Sequence, residues 1–101
     1  MSTVSLSIDG EMTVQRAAEL KPVLLGALAD SAARIELDLS AVTELDSAGV
    51  QLLFMLKSAA LGQQRNLRVC RPSPAVEQVF ALLGLEGCFD GGEAEPAEEP
   101  R

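Results

Sequence analysis

The segment from Ser40 to Gly49 holds the residues of this sequence that are best suited to chemistry. It reads Ser-Ala-Val-Thr-Glu-Leu-Asp-Ser-Ala-Gly, with the hydroxyl of Ser47 next to the carboxyl group of Asp46. Either side chain can accept a hydrogen bond from the free N–H groups at a helix start, so each is a candidate N-cap. The same N–H groups and the helix dipole stabilise an anion there, which also makes Ser47 a candidate phosphorylation site.

A phosphate on Ser47 would change the surface of the protein without unfolding it. It would add a charge of about −1.5 to −2 at neutral pH. It would also stand beside the carboxyl groups of Glu44 and Asp46, so the local surface would become strongly negative. A change of surface with an unchanged fold is what a switch in protein binding requires.

The composition argues against enzymatic chemistry and against nucleic-acid binding. The chain has no His, Trp or Tyr, so it lacks the commonest general base and metal ligand and the usual groups for base stacking. It has neither a Gly-x-Ser-x-Gly motif nor a P-loop. A receiver domain would need an acidic pair after its first strand, whereas Asp9 and Glu11 flank a glycine. We therefore predict a protein that is not an enzyme and that binds no cofactor or metal.

Much of the net charge of −7 lies at the end of the sequence, where acidic residues predominate from Glu86 onward. Residues 91–101 have no apolar periodicity, so we predict a disordered acidic tail after a single domain at residues 1–90. No Lys/Arg cluster offers a surface to nucleic acid. The sequence shows no signal peptide and no apolar run of about 20 residues that could span a bilayer. With only Cys70 and Cys88, the pattern indicates a cytoplasmic protein with reduced thiols.

Hydrophobic periodicity predicts the elements that must position Ser47. Asp9-Gly10 is a typical hairpin signal, so a short return strand is expected after it. A turn is expected at residues 40–45. The predicted strands are residues 4–8, 11–14, 35–39 and 66–70, and the predicted helices are residues 15–29, 47–61 and 74–83.

Strands separated by helices indicate an α/β fold with parallel pairing and right-handed crossovers. The clear strands alternate apolar with polar residues, as in Ile35-Glu36-Leu37-Asp38-Leu39. A sheet covered on both faces would have nearly continuous apolar strands, so the helices should lie mainly on one face. Ser47 then follows the carboxyl end of a strand, where ligands and switches gather in such folds.

The stretch from Glu36 to Val50 resembles the signature of STAS domains. That signature is an aliphatic strand, then Asp-Ser or Asp-Thr, a small residue, a glycine and an aliphatic helix. Residues 66–69, 73–76 and 80–85 resemble the C-terminal half of the same family, so the resemblance covers nearly all of residues 1–90. It implies an α/β fold with a mixed sheet of four to five strands and helices mainly on one face.

The resemblance also implies a function. In anti-sigma-factor antagonists of this family, a partner kinase phosphorylates the serine of the motif, and phosphorylation releases the kinase that the unmodified form binds. Ser47 matches that serine, although Ala48 stands where many antagonists have a second serine. Residues 9–21 and 38–46 resemble a chemotaxis-associated STAS protein, so a signalling histidine kinase is a further candidate partner. The implied contact surface consists of Glu44, Asp46, Ser47, Ala48, Gly49, Val50 and Phe54.

A constitutive accessory subunit is the alternative. In bacterial ABC transporters that maintain lipid asymmetry, a small STAS protein binds the ATPase subunit, and that group tends to carry Thr at the position of Ser47. The helix after Ser47 is apolar almost all round. It is either simply buried or partly a docking surface, in which Phe54 and Met55 would supply adaptable contact area.

Overall fold

The structure, a computed structural model, describes residues 2–29 and 31–89 of the chain. The predicted acidic tail at residues 91–101 lies outside the described residues. The elements in chain order are β1 (Thr3–Met12), α1 (Ala17–Gly26), a short 3-10 helix (Ala27–Ala29), β2 (Arg34–Leu45), α2 (Ser47–Gly62), β3 (Asn66–Val69) and α3 (Pro74–Leu83). No helix in the described ranges is long and apolar enough to cross a membrane.

The strands form one sheet in the order β1-β2-β3, and both neighbouring pairs are parallel. On β2, Ile35, Leu37 and Leu39 are fully buried, whereas the alternate residues Glu36 and Asp38 remain partly exposed. One face of the sheet therefore packs against the helices and the other faces solvent. This confirms the predicted α/β fold with helices on one face.

The predicted hairpin at Asp9-Gly10 is wrong, because β1 continues through it without turning back. Gly10 has a φ of +76°, which glycine adopts without strain. This conformation serves a bulge, at which the Arg16 guanidinium donates to the carbonyl oxygens of Asp9 at 2.6 Å and Glu11 at 2.8 Å. Two predicted strands are thus one, and the described sheet has three parallel strands rather than the predicted mixed sheet of four to five.

The turn predicted at residues 40–45 is also wrong, because these residues form the second half of β2. The register between β1 and β2 shifts twice in this part of the sheet. At the first shift, Asp38 Oδ1 accepts hydrogen bonds from Ser40 N at 2.9 Å and from Ser40 Oγ at 2.6 Å. Buried positions then come every third residue, at Leu39, Val42 and Leu45. β2 therefore delivers the chain directly to the start of α2.

The two later helices match the predicted bounds to within one residue. α2 begins at Ser47 and ends at Gly62, with Leu53 and Leu56 fully buried against the sheet. α3 begins after Ser73, whose Oγ accepts a hydrogen bond from Val76 N at 3.2 Å. The start of α2 thus directly follows the carboxyl end of β2.

Candidate functional site

Asp46 is the N-cap of α2 and joins that helix to the end of β1. Its Oδ1 accepts a hydrogen bond from Gly49 N at 3.0 Å, and its Oδ2 accepts one from Val14 N at 3.0 Å. The hydrogen bond from Val14 N, followed in strength of effect by the one from Gly49 N, holds the pKa of the Asp46 carboxyl below its usual range. Burial has a smaller, opposing effect. The carboxylate is therefore charged at neutral pH and lies at the positive end of the helix dipole.

Gly49 lets the first turn of α2 lie directly on β1. A Cβ at this position would overlap the carbonyl oxygen of Met12 and would lie 2.6 Å from Leu45 Cδ1. The same Met12 oxygen accepts a hydrogen bond from Asp46 N at 3.2 Å. The start of α2 is thus fixed against both β1 and β2, and this contact requires a residue without a side chain.

Ser47 is the first residue of α2, and it is exposed. The sequence left open whether Asp46 or Ser47 caps the helix, and the structure assigns the cap to Asp46. The Ser47 hydroxyl thus lies at a helix start whose cap another side chain provides. A modification of Ser47 would therefore leave the capping bonds in place.

Ser47 also begins an exposed face of α2, which we call the α2 ridge. Its members recur every three or four residues, which places them on one side of the helix. They are Ser47, Gln51, Phe54, Ser58 and Leu61, all of them exposed. Phe54 is 37% exposed and Leu61 is 52% exposed, and none of the five is ionisable. The ridge is a neutral, partly apolar surface with a hydroxyl at its amino end.

The Phe54 ring packs against Phe89, which lies in the segment that follows α3. Its ring centroid lies 5.1 Å from that of Phe89, with the two planes tilted by 51°. Phe89 is itself 2% exposed, and the Lys57 ammonium lies 5.2 Å from its ring centroid while donating to the Cys88 carbonyl. The exposed Phe54 ring is therefore held in place rather than free to collapse into the core.

Two grooves flank the start of α2. One, of about 320 Å³, lies between α1 and α2 and includes Lys21, Ala48 and Gln51 in its lining. The other, of about 400 Å³, lies at the carboxyl ends of the strands and includes Glu44 and Asp46. The surface around Ser47 is thus concave on both sides, with a basic side chain in one groove and two carboxylates in the other. A larger cleft of about 460 Å³ lies elsewhere, against α3 and Phe89.

The seven residues predicted as a contact surface differ in exposure. Glu44, Ser47 and Phe54 are exposed, Asp46 and Ala48 are partly exposed, and Gly49 and Val50 are buried. The buried pair has no surface to offer a partner in this conformation. Gly49 and Val50 instead position the helix that presents the others.

Val14 lies at the site, although no pattern in the sequence pointed to it. Its side chain is 69% exposed, and its N–H donates to Asp46 Oδ2. That bond joins residues 32 positions apart. Only the tertiary pairing of β1 with β2 brings them together, so local periodicity could not have found it.

Comparisons with known proteins agree with this geometry. A family model described as "Mlab, STAS domain" matches residues 1–90. A crystal structure of an anti-sigma factor antagonist from Mycobacterium paratuberculosis is 30% identical, over 87% of this chain and 74% of that chain, with a TM-score of 0.74. The structure of the anti-sigma factor antagonist SpoIIAA in its unphosphorylated form is 20% identical, over 99% of this chain and 81% of that chain, with a TM-score of 0.70, and shares the fold. No curated protein sequence gives a significant match to the chain.

Proposed function

The chain belongs to the STAS domain family, and we propose that it is a non-enzymatic, protein-binding switch of the anti-sigma-factor-antagonist kind. A partner kinase phosphorylates Ser47 and so controls the binding. The observation that carries the proposal is the position of Ser47, exposed at the first residue of a helix that Asp46 caps. The hydroxyl can be modified without loss of the bonds that hold the fold together.

Charge explains how the modification would act. The α2 ridge has no ionisable side chain, so the unmodified surface can be buried by a partner at little electrostatic cost. A phosphate on Ser47 would add about −1.5 to −2 charge, beside the carboxylates of Asp46 and Glu44. A partner that covers this point would have to desolvate that charge, which weakens binding unless a cation compensates. Phosphorylation is thus expected to release the partner.

The contact surface is centred on the start of α2. Ser47, Gln51 and Phe54 supply the exposed residues of the first two turns, and Val14 and Glu44 lie at the strand ends beside them. The supported Phe54 ring suits a partner pocket, because aromatic side chains carry much of the binding energy of small interfaces. The partner is a protein kinase or anti-sigma factor, or a signalling histidine kinase.

Phosphate mapping tests the proposal. The partner is first isolated by pull-down from a lysate of the source organism, and the chain is then incubated with it and ATP. Mass spectrometry should find one phosphate, on Ser47, and none in Ser47→Ala. The exposed Ser58, on the same ridge, is the matched control, so Ser58→Ala should accept phosphate as the wild type does. A stable complex without any phosphate on Ser47 would contradict the switch and favour the constitutive accessory subunit of an ABC transporter.

A further inference from the structure

β1 is the first strand in the sheet order, so one of its edges faces no other strand of the described chain. Arg34 N donates to the Ser2 carbonyl at 3.2 Å, and the register aligns Thr3 with Arg34. In a regular strand, alternate residues direct their N–H and C=O groups to opposite edges. Because Ser2 faces β2, the backbone groups of Thr3, Ser5 and Ser7 point to the open edge.

This open edge lacks the features that usually keep edge strands apart. Such features are charged side chains, prolines, bulges and short length. From Thr3 to Ile8 the sequence has no charged residue and no proline, and the first register shift comes only after Ser7. Thr3, Ser5 and Ser7, whose backbone groups point to the open edge, have small and exposed hydroxyl side chains. Although the whole chain carries a net charge of −7, this edge presents no charges that would repel a second copy.

The edge is complementary to itself about a two-fold axis at Ser5. In an antiparallel pair, Ser5 would face Ser5 of the second copy, and Thr3 would face Ser7 of the second copy. Residues in these facing pairs exchange both of their backbone bonds, so three pairs with two bonds each give about six interchain hydrogen bonds. On the helix side of the sheet, Val4 would face Leu6 of the second copy, and both are only half-buried in the monomer. Hydroxyl pairs form on one face and aliphatic pairs on the other, and both kinds stabilise cross-strand contacts.

We propose that the Thr3–Ser7 edge pairs antiparallel with the same edge of a second copy, which joins two three-stranded sheets into one continuous sheet. The two-fold match of hydroxyl to hydroxyl and Val4 to Leu6 favours a second copy over an unrelated strand. The pairing uses the amino-terminal half of β1, whereas Ser47 follows the carboxyl end of β2. Dimerisation therefore does not involve the residues of the proposed switch, and each dimer would present two of them.

Sedimentation equilibrium of the purified chain tests the dimer. From low micromolar to millimolar concentration, the mass should rise from 10.6 kDa toward twice that value. Ser5→Pro removes the central N–H from each edge but takes no donor from the ladder with β2, so it should raise the dimer dissociation constant about tenfold or more. Ser5→Lys places two ammonium groups opposite each other and should raise it about fivefold.

The control is Ser58→Lys, which makes the same change of charge on the α2 ridge and should leave the dissociation constant unchanged. Circular dichroism melts verify that each variant is folded. A wild type that stays monomeric at millimolar concentration would overturn the proposal. So would a folded Ser5→Lys variant that dimerises as tightly as the wild type, because the contact would then lie elsewhere on the surface.

Discussion

Gly49→Ala should push the start of α2 away from the sheet and destabilise the whole domain. The added Cβ would overlap the Met12 carbonyl oxygen and would lie 2.6 Å from Leu45 Cδ1. The Met12 oxygen is a backbone atom, and Met12 is fully buried, so β1 cannot move aside. The helix must shift instead, which strains the hydrogen bonds that join Asp46 to Gly49 and to Met12.

The expected loss follows from those contacts. Adding a methyl group to a close-packed site costs about 1–3 kcal/mol, and weakening the cap costs up to about 1 kcal/mol more. The better helix propensity of alanine returns less than about 1 kcal/mol. The free energy of unfolding should therefore fall by about 2–3 kcal/mol. For a domain near 100 residues, this lowers the Tm by about 10–20 °C.

Thermal unfolding followed by circular dichroism measures the effect. The matched control is Gly62→Ala, at the other end of the same helix, where an added Cβ meets nothing within 4 Å. That variant should melt at or slightly above the wild-type temperature. A Tm loss below about 4 °C for Gly49→Ala, or an equal loss for Gly62→Ala, would refute the close-approach argument.

Two other predictions concern the cap and the tail. Asp46→Ala should lower the free energy of unfolding by about 1–2 kcal/mol at neutral pH, as measured by urea denaturation. Because folding lowers the pKa of Asp46, the wild-type advantage is full above about pH 5 and should shrink as the pH falls below the ordinary aspartate pKa of about 3.9; an advantage independent of pH would count against the charged cap. A shortened chain that ends at Asp90 should melt within about 5 °C of the full chain, since residues 91–101 offer no periodic apolar surface, and a larger drop would show that the tail contributes to stability.

The features that could be read from the sequence are those set by local chemistry. The helix predicted at residues 74–83 is one such feature. Ser73-Pro74 is a typical helix start and Gly84 a typical helix end, and both signals depend on near neighbours only. The structure confirms both, with the bond from Val76 N to Ser73 Oγ and a φ of +70° at Gly84. The start of α2 was predictable from the Asp46-Ser47 pair, because either residue suits a helix start.

The N-terminal strands were mispredicted because one local conformation fits two structures. Gly10 has a positive φ, which a hairpin turn requires. The same conformation also suits a bulge in a strand that continues without turning back. The deciding contact is Arg16, whose guanidinium reaches the carbonyls of Asp9 and Glu11. Residues 40–45 were not predicted as a strand because their buried residues do not alternate with exposed ones. The register shifts place a buried residue at every third position instead.

The residue types of the candidate site were predictable from the sequence, but the role of each residue was not. An Asp-Ser pair at a helix start indicates a cap and an exposed hydroxyl, but the pair alone does not tell which residue does which. The bond from Val14 N to Asp46 Oδ2 decides it, and that bond depends on the pairing of β1 with β2. The need for glycine at position 49 likewise follows from Met12, which is distant in sequence.

The affinities of Ser47 variants for the isolated partner show whether the charge at Ser47 controls binding. Isothermal titration should give Ser47→Ala the wild-type affinity, because Asp46 rather than Ser47 caps the helix. Ser47→Asp should bind about tenfold more weakly or worse, since the interface must desolvate an added charge. Ser31→Asp, an exposed position before the amino end of β2, is the charge-matched control and should bind as the wild type does. Equal affinities for wild type, Ser47→Ala and Ser47→Asp would contradict the switch and leave the constitutive subunit standing.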